Sequence, residues 1–103
     1  MSFILVDILP IKSGATVNEA VEYFDGLKPV FQRHGLTRID APLKAVKAMR
    51  GDVPADLVNL FETENPEASL MGMRDDPDYQ AQATERDRIF DLERASILLT
   101  KRH

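Results

Sequence analysis

The sequence predicts an α+β domain in which helices cover one face of a four-stranded antiparallel sheet. Four short segments have the alternating or continuous apolar pattern of strands. Apolar residues recur at helical spacing after the first of these segments and again after the third. The 103 residues, 44% of them apolar and 29% charged, suit one domain (1–103) whose core forms without disulfides.

The first strand and the first helix follow each other closely. Ser2–Ile11 is apolar on both alternating faces, which is typical of a buried strand. Thr16 then begins a helix as its N-cap, with Glu19 three residues later as capping-box partner. Pro29 lies within the helical pattern and removes a hydrogen bond there, so we expect a kink near 25–26.

The middle of the chain predicts two more strands. Leu36–Met49 is interpreted as a long second strand, which Pro42 confines to an edge or to a bulge. Ala55–Glu62 is the third strand. A turn that contains Gly51 separates the two.

The last third of the chain contains two helix starts and a final strand. Asn65–Glu67 combines an N-cap, a proline at the first position and an acid in the first turn. Asp76–Asp78 repeats this pattern, and the helical stretch then runs to Phe90. Ala95–Lys101 is the fourth strand.

The order β-α-β-β-α-β, with right-handed crossovers, predicts a ferredoxin-like fold. Helices cover only one face of such a sheet, yet the first and third strands are apolar on both faces. A large exposed apolar patch usually marks an interface, so we expect a homodimer packed sheet to sheet about a two-fold axis. We assign five residues to this patch: Phe3, Leu5, Leu9, Leu57 and Phe61.

Three stretches resemble a small bacterial family of unknown function within the dimeric α/β-barrel superfamily. Residues 27–35 are similar to its proline-containing first helix, 57–68 to its third strand and second helix start, and 76–81 to its aspartate/serine-proline-x-tyrosine segment. The resemblance implies a homodimeric barrel with a small cavity in each subunit. It implies no activity, since the superfamily includes cofactor-independent monooxygenases, haem-degrading enzymes, lactone isomerases and proteins without an assigned reaction.

Two residues are candidates for catalysis. Asp7 lies mid-strand among apolar neighbours, where desolvation would raise its pKa and make it a base. Its alternative role is to pair with a lysine or arginine on a neighbouring strand or across the dimer. His34 is the only internal histidine and could exchange protons near neutral pH, or it could simply stabilise a helix C-terminus.

Four further residues are candidates for ligand binding. Asn59 could orient a carbonyl or hydroxyl group, or bond another buried polar group. Lys47 and Arg50 could hold an acidic ligand, or belong to a solvated edge strand. Tyr79 could supply a hydroxyl group, although its spacing also fits core packing.

Composition excludes several classes of site and partner. There is no cysteine, which excludes a thiol nucleophile and a cysteine-ligated zinc site. The acidic cluster Asp75, Asp76 and Asp78 does not require a metal, because helix capping explains Asp76 and Asp78. The chain also has no tryptophan, so the asparagine–tryptophan–histidine set of the haem-degrading branch is missing. We therefore expect no metal and no cofactor.

Charge and hydropathy argue against nucleic-acid binding and against a membrane-spanning segment. A net charge of −4 argues against nucleic acid, and the four-residue run Phe3–Val6 is too short to cross a membrane. RNA-recognition modules share the strand order but need aromatic central strands in a basic context. With no secretory signal, the expected location is the cytoplasm.

Two hypotheses about function follow, and the sequence does not decide whether the protein is an enzyme. In the first, the dimer binds a small, partly apolar organic molecule; Asp7 or His34 removes a proton, and Asn59 or Lys47 steadies the oxyanion. In the second, the dimer is a non-catalytic ligand-binding or accessory protein. A cavity of roughly 300 Å³ or more with convergent polar groups would favour the first.

Overall fold

The computed structural model describes residues 2–103 and has the ferredoxin-like architecture that the element order predicts. An antiparallel sheet is covered on one face by helices. The elements in chain order are β1 (Phe3–Leu9), α1 (Val17–Gly26), α2 (Lys28–Arg33), β2 (Thr37–Arg38), β3 (Leu43–Lys44), β4 (Leu57–Thr63), α3 (Pro66–Asp75), α4 (Pro77–Ala81), α5 (Ala83–Ile89) and β5 (Ser96–Lys101).

The two longest strands form the centre of the sheet. The strand order is β2-β4-β1-β5. β2 pairs with the C-terminal part of β4, and β3 pairs with its N-terminal part. β1 is paired along both edges, with Asp7 opposite Asn59 on one side and Ile97 on the other. Residues in the middle of β1 are therefore surrounded by sheet on both sides.

The break predicted in the first helix is present. Thr16 and Glu19 form the expected capping box at the start of α1. α1 ends at Gly26, and Pro29 lies in the first turn of α2, where its missing N–H leaves no hydrogen bond unmade. The proline therefore divides the predicted helix into two helices.

The long second strand predicted over Leu36–Met49 is wrong in extent. Within this segment only the short strands β2 and β3 pair with β4, and Pro42 lies between them at the sheet edge. After the single backbone bond from Ala45 to Asp56, the chain leaves the sheet and residues 46–53 are exposed. Proline has no backbone N–H to donate to the neighbouring strand. An edge strand has a neighbour on one side only, so this loss is not compensated by a second strand.

The second helical region consists of three short helices. Asn65 caps α3, and Asp76 caps α4 by accepting a bond from the Asp78 N–H, as the proline starts predict. A further break at Gln82 separates α4 from α5. No helix in residues 2–103 is long and apolar enough to span a membrane.

The helices cover the face of the sheet that we expected to be free, so the predicted assignment of faces is wrong. Leu5 and Phe61 are 3% and 5% exposed, and the Phe31 ring packs against Phe61 with centroids 4.8 Å apart. Leu9 and Leu57 are buried in the same core, and Phe3 is partly buried. Strand alternation identifies residues that share a face, but it does not identify which face the helices cover.

The uncovered face is also apolar. Its members in β1 and β4 are partly exposed, and Leu98 in β5 is 57% exposed. Cross-strand pairing places the following side chains together on it: Ile4, Val6, Ile8, Val58, Leu60 and Leu98.

Candidate functional site

A cavity of about 280 Å³ lies between the helix layer and the sheet, close to the lower size limit expected for a ligand site. Its walls are mainly leucine and phenylalanine side chains from the core. Leu70, Leu92 and Ile97 line it and are 39%, 44% and 56% exposed, so an apolar rim connects the cavity to solvent. Five polar residues also line it: Asp7, Tyr23, Arg74, Tyr79 and Arg86.

Asp7 lies on the sheet side of this cavity. Burial raises the pKa of Asp7 to about 6. The Asn59 amide on the paired strand lowers that pKa in part, yet neither Asn59 polar atom reaches hydrogen-bond geometry. No lysine or arginine forms an ion pair with Asp7 within residues 2–103, so intrachain charge pairing does not explain this aspartate.

Two uncharged side chains close to Asp7 carry buried polar atoms without partners. Asn59 is fully buried, and neither its Oδ1 nor its Nδ2 has a hydrogen-bond partner in the described part of the chain, residues 2–103. Among the same residues the buried hydroxyl oxygen of Tyr23 also has no partner. Each such group costs about 1–3 kcal/mol, and native structures contain few of them. Their presence near one cavity indicates a place where a ligand or water completes the bonding.

Tyr79 and Arg86 form a second polar group on the helix side. The Arg86 Nη1 donates to the Tyr79 hydroxyl oxygen at 3.2 Å, and the guanidinium carbon lies 5.5 Å from the Tyr79 ring centroid. The Arg86 Nε donates to Asp87 at 3.0 Å.

Burial raises the pKa of Tyr23 far above its ordinary value, so its phenol stays protonated and able to donate.

His34 lies at the end of α2 and does not line the cavity. Its Nε2 is 2.6 Å from Asp76 Oδ2, and the Arg33 Nη1 is 2.7 Å from the same oxygen. Hydrogen bonding to His34 lowers the pKa of Asp76 to about 2, with smaller contributions from the Asp78 backbone and Arg33. The geometry therefore places His34 in a polar cluster that ties α2 to the start of α4.

The other predicted site residues divide into two groups. Tyr79 lines the cavity, and Asn59 is buried opposite Asp7, so these residues and Asp7 are brought together. Lys47 and Arg50 lie in the exposed segment after β3 and do not line the cavity. Their assignment depended on a strand that ends before it reaches them.

The sequence-based predictions missed three of the polar residues that line the cavity, Tyr23, Arg74 and Arg86. Tyr23 follows the apolar stripe of α1 closely enough to be taken for core, and Arg86 belongs to a long polar run that looks solvated. Neither carries a local signal. Only the packing of α1 and α5 over the same part of the sheet brings them beside Asp7.

Comparisons with known proteins bear on the fold. No protein-family model matches the sequence, and no curated protein is significantly similar to it. An uncharacterised NIPSNAP-like domain protein from Burkholderia xenovorans superposes with a TM-score of 0.69 at 13% identity, covering 99% of this chain and 85% of that one. A DABB family protein with a ferredoxin-like fold from Mesorhizobium loti superposes with a TM-score of 0.65 at 12% identity, covering 99% and 97%.

These likenesses agree with the class of protein that the topology defines. The chain is a ferredoxin-like α+β domain, and its fold is similar to the folds of both of these proteins. At 12–13% identity the likeness concerns the fold alone, and a fold of this kind hosts many unrelated functions. The function therefore depends on the chemistry of the cavity and not on the fold.

Proposed function

We propose that this protein is a homodimer that binds a small, partly apolar organic molecule in the cavity and moves a proton on it. One observation carries the proposal: Asp7 has no cationic partner within residues 2–103 and lines an apolar cavity near unpartnered hydrogen-bonding groups. A structural aspartate would be expected to have its charge paired. A catalytic base instead needs a free carboxylate with a pKa close to the working pH.

The proposed chemistry is general-base catalysis. With a pKa of about 6, Asp7 is largely ionised at neutral pH and accepts a proton from an activated C–H or a phenol. The Tyr23 hydroxyl, which lines the cavity, then donates a hydrogen bond to the oxygen on which negative charge develops, while Asn59 lies buried beside Asp7 outside the cavity lining. Return of the proton to a different carbon completes an isomerisation.

A hydrogen-exchange assay tests this role. We expect the protein to accelerate exchange of solvent deuterium into enolisable ketones or lactones, or into the ring positions of activated phenols, followed by proton NMR. Asp7→Asn removes the base and should slow the exchange by about 10²- to 10⁴-fold. Asp75→Asn changes an exposed aspartate outside the cavity and is the matched control.

Two results of the assay would contradict the proposed catalysis. If Asp7→Asn exchanges an accepted substrate as fast as the unaltered protein, Asp7 is not the base. If the compounds bind in the cavity but exchange no faster than in buffer, the protein is a non-catalytic binding dimer, which is the alternative function.

The dimer is proposed on the apolar uncovered face of the sheet. Val6 and Leu60 are paired residues at its centre, and Leu98 of the edge strand extends it. An apolar sheet face of this size is unfavourable in water and is covered most simply by the same face of a second copy. The cavity lies on the opposite side of the sheet, so each subunit keeps its own site.

A further inference from the structure

We infer that the molecule bound in the cavity is an apolar acid whose carboxylate is recognised by Arg86 and Tyr79. The inference rests on the proposal that the cavity binds a small organic molecule, and it adds the charge and the orientation of that molecule. It depends on the geometry of the helix-side wall.

The charges that line the cavity are unusual for this chain. The whole protein has a net charge of −4, yet two arginines, Arg74 and Arg86, and only one carboxyl group, Asp7, line the cavity. Arg74 is 70% exposed and pairs with Asp75, and Arg86 pairs with Asp87, so the charge that a ligand meets on the helix side of the cavity is mainly the partly buried Arg86 guanidinium, which favours an anion.

Arg86 is held in place with donor capacity to spare. Its Nε is bonded to Asp87 and its Nη1 to the Tyr79 oxygen, while its Nη2 has no hydrogen-bond partner within residues 2–103. The Arg86 side chain is only 24% exposed, whereas Asp87 is 57% exposed and its charge is screened by solvent. The guanidinium is therefore pre-organised but not fully neutralised.

Tyr79 supplies a second donor beside it. Because its oxygen accepts from Arg86, the phenolic hydrogen is free to donate to another group. Arg86 Nη2 and the Tyr79 hydroxyl thus present two neighbouring donors, which match the two oxygens of a carboxylate. A neutral carbonyl has only one oxygen to offer.

The remainder of the cavity selects an apolar body. Phe24, Phe31, Phe61 and Phe90 line it, and its volume of about 280 Å³ suits one ring or a short chain. Inorganic anions and sugar phosphates would leave this surface unfilled. With the carboxylate on Arg86, repulsion keeps it from Asp7, which then faces the carbon body from which a proton is removed.

Calorimetric titration with matched acids and amides tests the inference. The probes are trans-cinnamate against trans-cinnamamide and hexanoate against hexanamide, at low ionic strength and pH 7.5. We expect each acid to bind about ten- to hundredfold more tightly than its amide. Arg86→Gln should abolish this preference by weakening the acids alone, and Tyr79→Phe should reduce it.

Arg88→Gln is the matched control. Arg88 is also an arginine of α5, but it pairs with Glu19 and Glu85 outside the cavity. The preference for acids should survive in this variant. Arg86→Lys, which keeps the charge but loses the planar fork, should keep a weaker preference and serves if Arg86→Gln does not fold.

The outcomes separate this inference from the proposed function. Equal binding of acids and amides by the unaltered protein, or a preference that persists in Arg86→Gln, overturns the acid assignment while cavity binding stands. If neither acids nor amides shift the methyl NMR signals of Leu5, Leu9 and Ile97, both the inference and the proposed binding function fail.

Discussion

Asp7 is the residue whose placement most needs a functional reason. The sequence surrounds it with apolar residues on a central strand, and no lysine or arginine in residues 2–103 pairs with it. Its folded-state pKa of about 6 lies above the ordinary value of 3.8. The folded protein therefore binds this proton more tightly than the unfolded chain, and the contribution of Asp7 to stability, fully present below about pH 3.8, is lost as the pH rises through 6.

Because the raised pKa means that ionised Asp7 destabilises the folded protein, we expect Asp7→Asn to stabilise the protein at neutral pH. The amide removes a poorly solvated charge, so the free energy of unfolding at pH 7.5 should rise by about 1–3 kcal/mol. Urea unfolding at pH 7.5 and pH 4 measures the effect, and the gain should shrink at the lower pH. Asp75→Asn should change neither value, and a loss of stability on Asp7→Asn at pH 7.5 would contradict the prediction.

Gly72 shows how one element constrains another. It lies within α3, and a side chain there would overlap the imidazole of His34 at the end of α2. His34 cannot easily move aside, because its ring is bonded to Asp76, the residue that caps α4. The absence of a side chain at position 72 therefore lets three helices meet.

Gly72→Ala should destabilise the protein by about 1–3 kcal/mol, although alanine is the better helix former. Thermal unfolding measures the change. Gly26→Ala is the matched control, since a methyl group there meets open space at the end of α1 and should be neutral or slightly stabilising. If the two variants unfold at the same temperature, the His34 contact carries no strain.

At the scale of elements, local chemistry predicted the ends of helices better than the extent of strands. The Thr16 capping box and the proline starts at 66 and 77 depend on neighbours within three residues, and all are present. The second strand depends on pairing with β4, which is more than a dozen residues away. The composition of Leu36–Met49 is typical of a strand, but it does not indicate that the strand pairing with β4 stops after Lys44.

For the whole molecule, the arrangement of the two sheet faces leads to a test of the dimer. Val6→Lys places a charge at the centre of the uncovered face and leaves the core beneath the helices unchanged. We expect sedimentation to report a dimer for the unaltered protein and a folded monomer for this variant. Met71→Lys changes an exposed apolar residue on α3 and should remain dimeric.

Circular dichroism keeps the comparison meaningful by showing that Val6→Lys retains its helices and strands. If the variant stays dimeric, the subunits associate through another surface. If the unaltered protein is a monomer at tens of micromolar, the sheet-to-sheet dimer is wrong.

The amino-acid sequence was enough to predict the order of elements, the helix caps, the breaks at proline and the presence of two apolar sheet faces, because these depend on neighbouring residues and on strand alternation. It also singled out Asp7, since one carboxyl group in an apolar strand is visible without a structure. Tertiary structure decided which face the helices cover, and so reversed the roles given to Leu5 and Phe61. It also brought Tyr23 and Arg86 to the cavity and separated His34 from it, because helix packing joins residues whose separation along the chain carries no signal.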